Sequence, residues 1–101
     1  MINDNIPSEF ELAGIKFKVI EVSKILDDDN VTELYGQFDT NQNTISLATT
    51  IYGEDVTSQT KLNTFYHEFA HVLQYYYNTE LDESFAQSIG NLLMQYNQTK
   101  K

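Results

Sequence analysis

The chain contains no cysteine, so it has neither a disulfide framework nor a thiolate to offer a metal. Any metal it binds must be held by imidazole and carboxylate. No stretch approaches the roughly 18 consecutive apolar residues that span a bilayer, and the opening MINDNIPSEFELAG lacks the basic and apolar segments of an export signal. The expectation is a soluble cytoplasmic protein. Positive charge is scarce: six basic residues stand against fifteen acidic ones, a formal net charge of −9. Such a field repels phosphate backbones and anionic lipid, which argues against nucleic acid and membrane as partners. A length of 101 residues suits one domain, residues 1–101, around a single core.

The two halves of the chain differ in pattern. FELA at 10–13 and IKFKVIEV at 15–22 read as a hairpin around Gly14, with Ile15, Phe17 and Val19 alternating against Lys16 and Lys18 before Ile20 and Val22 shift the phase. Leu34 to Phe38 and Thr44 to Thr49 form a second hairpin across the polar turn Asp39-Thr40-Asn41-Gln42-Asn43. Between the hairpins, Asp27-Asp28-Asp29 lacks the spaced oxygen ligands of a calcium loop and is expected to be a solvated turn. After Gly53 the period becomes helical. Leu62, Phe65, Phe69, Val72 and Tyr76 recur three or four apart, sharing a face with Leu73, which predicts a helix from about Thr57 to Tyr77 capped by Thr57 or Ser58. A second helix is expected from about Glu80 to Tyr96, burying Phe85, Ile89, Leu92, Leu93 and Tyr96. Strands first and two helices after indicate an α+β domain with helices on one face of a small antiparallel sheet.

The only two histidines, His67 and His71, fall in HEFAH on the first predicted helix. Residues four apart on a helix have Cβ atoms about 5–6 Å from each other, so both rings can aim at one point, as a tetrahedral zinc requires. They lie away from the apolar stripe, where core packing does not explain them. Glu68 sits about 100° round the helix from His67, beside a metal-bound water rather than on the metal, where it can take that water's proton. A catalytic zinc needs a third protein ligand. With both histidines used and no cysteine, it must be an acid, and Glu80, Asp82 and Glu83 open the second helix nearby. Glu83 is favoured because it falls inside that helix, where Ala86 and Gly90 on adjacent turns let two backbones approach; Asp82 and Glu80 stay open. Tyr75-Tyr76-Tyr77 is expected to be core and helix end and Met94 packing, while the Ile45/Leu47 strand is either an ordinary sheet strand or an exposed edge able to accept an extended peptide.

Between residues 12 and 96 the chain resembles the small zinc-metallopeptidase-like proteins of phages and mobile elements, relatives of the ImmA/IrrE metallopeptidases in the gluzincin-like class. The resemblance lies in IKFKVIEV, in Gly36-Gln37-Phe38-Asp39 followed by Thr44-Ile45-Ser46-Leu47, in Tyr66-His67-Glu68-Phe69-Ala70-His71, and in Glu83-Ser84-Phe85-Ala86 leading to Leu92-Leu93-Met94. It departs at Ala70, where many relatives carry glycine. The resemblance implies a minimal zincin-like fold, His67, His71 and Glu83 as zinc ligands, Glu68 as the catalytic glutamate, and a protein or peptide substrate such as an intracellular regulatory protein. The competing expectation is a small acidic interaction or inhibitor protein of phage type, with a non-catalytic or structural metal site.

Overall fold

The computed structural model describes residues 5–12, 14–76 and 83–99. Six strands precede two helices: β1 (Glu9–Leu12), β2 (Ile15–Val22), β3 (Gly36–Asp39), β4 (Thr44–Ala48), β5 (Thr50–Ile51), β6 (Glu54–Asp55), α1 (Ser58–Tyr76) and α2 (Glu83–Thr99). The domain is α+β, as the change of period along the chain implies. Both expected hairpins are present. β1 pairs antiparallel with β2 and β3 antiparallel with β4, and Asn43 takes up a positive φ of 50° in the polar turn between the latter two. Ala13, expected to end the first strand, lies outside the described residues, as do Glu80, Asp82 and Tyr77.

The joining of the hairpins corrects the sequence expectation. β2 and β4 pair in parallel, giving the order β1-β2-β4-β3 and a mixed sheet rather than a purely antiparallel one. β4 is therefore interior, with Ile45 and Leu47 fully buried, and the exposed edge belongs to β3 instead. Ile45 and Leu47 point to the helices, while the backbone on both sides of β4 is taken up by neighbours. The phase shift expected in β2 is also absent. Ile20 stays outside at 41 % exposure, and Glu21 turns inward to meet Lys61 of α1 at 3.0 Å. Partial burial raises the Glu21 carboxyl, but the hydrogen bond and charge of Lys61 outweigh it and hold the group below its ordinary value.

The core lies between this sheet and α1. Phe17 and Val19 of β2 and Ile45 and Leu47 of β4 meet Leu62, Phe65 and Val72 of α1, with Met94 of α2 closing one side. Each such side chain contributes about 1.5–3 kcal/mol through burial. Phe10 stacks on Phe17 at 5.1 Å and meets Phe69 at 5.3 Å, tying β1 to the helix. Thr57 caps α1, its Oγ1 accepting the Thr60 N–H at 3.1 Å. On α2, Ala86 is buried and Leu93 half-buried. The side chains of Tyr76, Phe85, Ile89, Leu92 and Tyr96, expected to be buried, lie outside the described residues.

Candidate functional site

Helical spacing stacks His67 and His71 on one flank of α1, their rings 5.0 Å apart and nearly perpendicular. One ligand atom from each of His67, Glu68 and His71 falls within 4.8 Å of the others. The flank is not a free surface: His71 and Glu68 are buried at 5 % and 8 % exposure, covered from the sheet side and by α2. His71 is oriented by Gln74 one turn on, whose Oε1 lies 3.1 Å from His71 Nδ1. An amide oxygen only accepts, so Nδ1 carries the proton and Nε2 is turned toward the cleft.

Both Nε2 atoms converge on one carboxylate. His67 Nε2 lies 2.9 Å from Glu83 Oε2, and His71 Nε2 lies 2.8 Å from Glu83 Oε1. Glu83 is the first described residue of α2, and the stretch from Glu80 where that helix was expected to begin lies outside the described residues. What holds it there is the close approach anticipated from the small residues. A Cβ added at Gly90 would lie 3.1 Å from both the Cα and the N of His67, so the α2 backbone packs directly on the α1 backbone at the first histidine. Glu80 and Asp82, the other acids considered, lie outside the described residues.

At His67 a neutral ring whose Nε2–H donates to the carboxylate accounts for the contact. At His71, whose Nδ1–H is directed to Gln74, a second ring proton, a proton on the carboxyl or a cation shared by all three side chains would each satisfy the contact. A tetrahedral zinc with ligands at about 2.0–2.1 Å would spread the donor atoms to about 3.3 Å. Glu83, with its side chain 79 % exposed, is free to make that adjustment. The donor set of two imidazoles and a carboxylate also suits zinc chemically.

The carboxyl groups of the two glutamates are shifted in opposite directions. Burial pushes Glu68 upward, opposed in part by positive charge on His71 and His67 and reinforced by the negative charge of Glu83. In Glu83 partial burial also acts upward, but the hydrogen bonds and charges of His67 and His71 win and hold it below the usual carboxylate range. A proton-accepting group beside a charge-holding one is the division of labour that acid–base chemistry uses.

These side chains line a cleft of about 650 Å³ whose opposite wall is Leu34, Tyr35 and the edge strand β3, with Thr60, Asn63, Thr64 and Gln87 completing it. Gly36 sets its width. A Cβ there would lie 3.3 Å from Glu68 Cγ and would overlap the Thr64 methyl, at 2.5 Å, so glycine lets the edge strand come down onto α1 beside Glu68.

Sequence reasoning did not single out Gln74, Gly36 or Thr64 for these roles. Gln74 was legible in principle as an amide one turn beyond a histidine. The other two are fixed by a strand-to-helix contact that no local pattern encodes. Of the tyrosine run, Tyr75 is 43 % exposed and packs edge-on against Phe38 of β3. Among the described residues, no helix is long and apolar enough to cross a membrane. No known protein family, curated protein or solved structure matches the chain.

Proposed function

We propose that the domain is a zinc-dependent metallopeptidase of minimal zincin type. The observation that carries this reading is the convergence of His67 and His71 through Nε2 on the Glu83 carboxylate, with Glu68 beside them in an open cleft. His67, His71 and Glu83 would hold the metal. Zinc bound there supplies a Lewis acid and lowers the pKa of its water to about 7. Glu68, buried and raised above its ordinary value, accepts a proton on a carboxylate oxygen during attack on the peptide carbonyl. It then returns that proton to the departing amine nitrogen. Gln74 keeps His71 in the tautomer that presents Nε2.

The edge strand supports a peptide substrate over a small molecule. β3 has β4 on one side only, and Gly36, Gln37 and Phe38 line the cleft, so an extended chain can add to the sheet there with its backbone running past Glu68. The resemblance to phage and mobile-element metallopeptidases points the same way. The test is hydrolysis of a fluorescein-labelled unfolded protein by zinc-loaded parent and by Glu68→Gln. The expected result is turnover in the parent and a loss of at least about 10²-fold in the variant, with zinc content unchanged. Equal rates in the two proteins would remove Glu68 from the mechanism.

A further inference from the structure

Exposed apolar side chains scattered singly are ordinary on a protein surface. Here they gather. Of the six large hydrophobic residues exposed among the described residues, four (Leu26, Val31, Tyr35 and Tyr52) surround Glu33. The chain around it forms a short ladder, with Leu34 N–H donating to Ile25 O and Asp27 N–H to Thr32 O, and Leu26 directly opposite Glu33. In that ladder Ile25 is buried and Leu34 lines the cleft, which sends Leu26 and Glu33 to the outer side. Val31 and Tyr35 stand two positions to either side of Glu33. Tyr52, on the turn between β5 and β6, is clamped over it: its N–H donates to Glu33 Oε1 at 2.8 Å, and its hydroxyl accepts the Glu33 N–H at 3.1 Å. Val31 at 72 % and Tyr52 at 64 % are the two most exposed of the six, so folding leaves apolar surface uncovered on a backbone that is itself pinned.

We infer that this face is a docking surface for a protein partner that presents a basic segment interspersed with apolar side chains. The charge around it selects the partner. Asp27, Asp28 and Asp29 project from the turn that closes the ladder, Glu33 lies at the centre, and the exposed Glu54 and Asp55 follow Tyr52, against the single ammonium of Lys24. Asp29 orders its own turn by accepting from the Val31 and Thr32 N–H groups, each at 2.8 Å, which fixes Val31 outward. A second copy of this chain would bring like charge against like, so the acidic rim disfavours self-pairing. Tyr35 belongs both to this face and to the cleft wall, so a segment docked here lies at the mouth of the cleft. The inference rests on exposure and charge alone and does not depend on the peptidase reading.

The test is binding of fluorescein-labelled peptides to the intact chain, followed by anisotropy. A peptide of alternating lysine and leucine is expected to bind at least about 10-fold more tightly than one of alternating lysine and serine or of glutamate and leucine. The double variant Leu26→Ser/Val31→Ser, unchanged in charge, should lose most of that affinity, whereas Ile20→Ser on the outer side of β2 should keep it. Asp27→Asn/Asp28→Asn should weaken binding more than Glu9→Gln/Glu11→Gln, which removes the same charge from β1. Equal losses from the two charge pairs, with no loss from Leu26→Ser/Val31→Ser, would mean attraction by the overall field and would overturn the proposal. So would a dimer in sedimentation that dissociates in Val31→Ser, which would assign the face to a second copy.

Discussion

The two walls of the cleft are built by different physics. On the α1 wall, His67, Glu68, His71 and Gln74 occupy one helix, and their relative positions follow from helical geometry alone. The facing parts, Glu83 of α2 and the edge strand β3, arrive from 12 or more residues away from the histidines in sequence and are seated by glycines, Gly90 against the His67 backbone and Gly36 against Thr64 and Glu68. One wall is locally encoded and tolerant of changes elsewhere. The other exists only while two backbones remain in close contact.

The sharpest way to break that contrast is to disturb the long-range wall without touching a polar atom. Gly90→Val introduces branched carbon where even a single Cβ would sit 3.1 Å from backbone atoms that cannot rotate away. Overpacking of this kind costs about 1–3 kcal/mol. It should move Glu83 off both histidines, so calorimetric titration should find zinc affinity reduced more than 100-fold while far-UV circular dichroism still reports α1. Unchanged zinc affinity would show that α2 does not carry a ligand. A smaller effect is expected on the local wall from Gln74→Ala, which frees the His71 ring but leaves every ligand in place. Loss of such an orienting partner typically costs about 10–100-fold in metal affinity, with the melting temperature of the metal-loaded protein falling accordingly.

The smallest effect separates the two glutamates and has a defined sign. Because burial raises Glu68 above its ordinary 4.5, the folded state holds that proton more tightly than the unfolded chain does. The stability this provides is complete below pH 4.5 and is lost as pH rises through the raised value. Glu68→Gln removes the loss, so in metal-free protein the variant should melt above the parent at pH 7. One kcal/mol corresponds to about 4–8 °C in a domain of this size. The difference should vanish below pH 4.5. A variant less stable than the parent at pH 7 would mean that the Glu68 carboxylate is stabilised where it lies.

The same division explains what could be read from the sequence. Helical periodicity located the start of α1 to within a residue, and HEFAH fixed three of the site's side chains, because both signals are local. β2 was legible to its limits for the same reason. The parallel pairing of β2 with β4 was not, since alternation says which face a strand buries but not which strand lies beside it. The pairing decides for the ordinary-strand reading of Ile45 and Leu47 and leaves the open edge at β3. Ala86 and Gly90 did announce the close helix approach that Gly90 makes to the His67 backbone. Gly36 sits in a short strand where its missing side chain has no local meaning until Thr64 and Glu68 are brought against it. Tyr52 likewise reaches Glu33 across 19 positions, a pairing no window of sequence contains.

Elemental analysis of protein purified without chelator bears most directly on the assignment of His67, His71 and Glu83 as one metal-binding set. The account predicts one zinc per chain in the parent and in Glu68→Gln, and a loss of bound zinc in His71→Ala and in Glu83→Ala. Equal zinc in the parent and His71→Ala would contradict it.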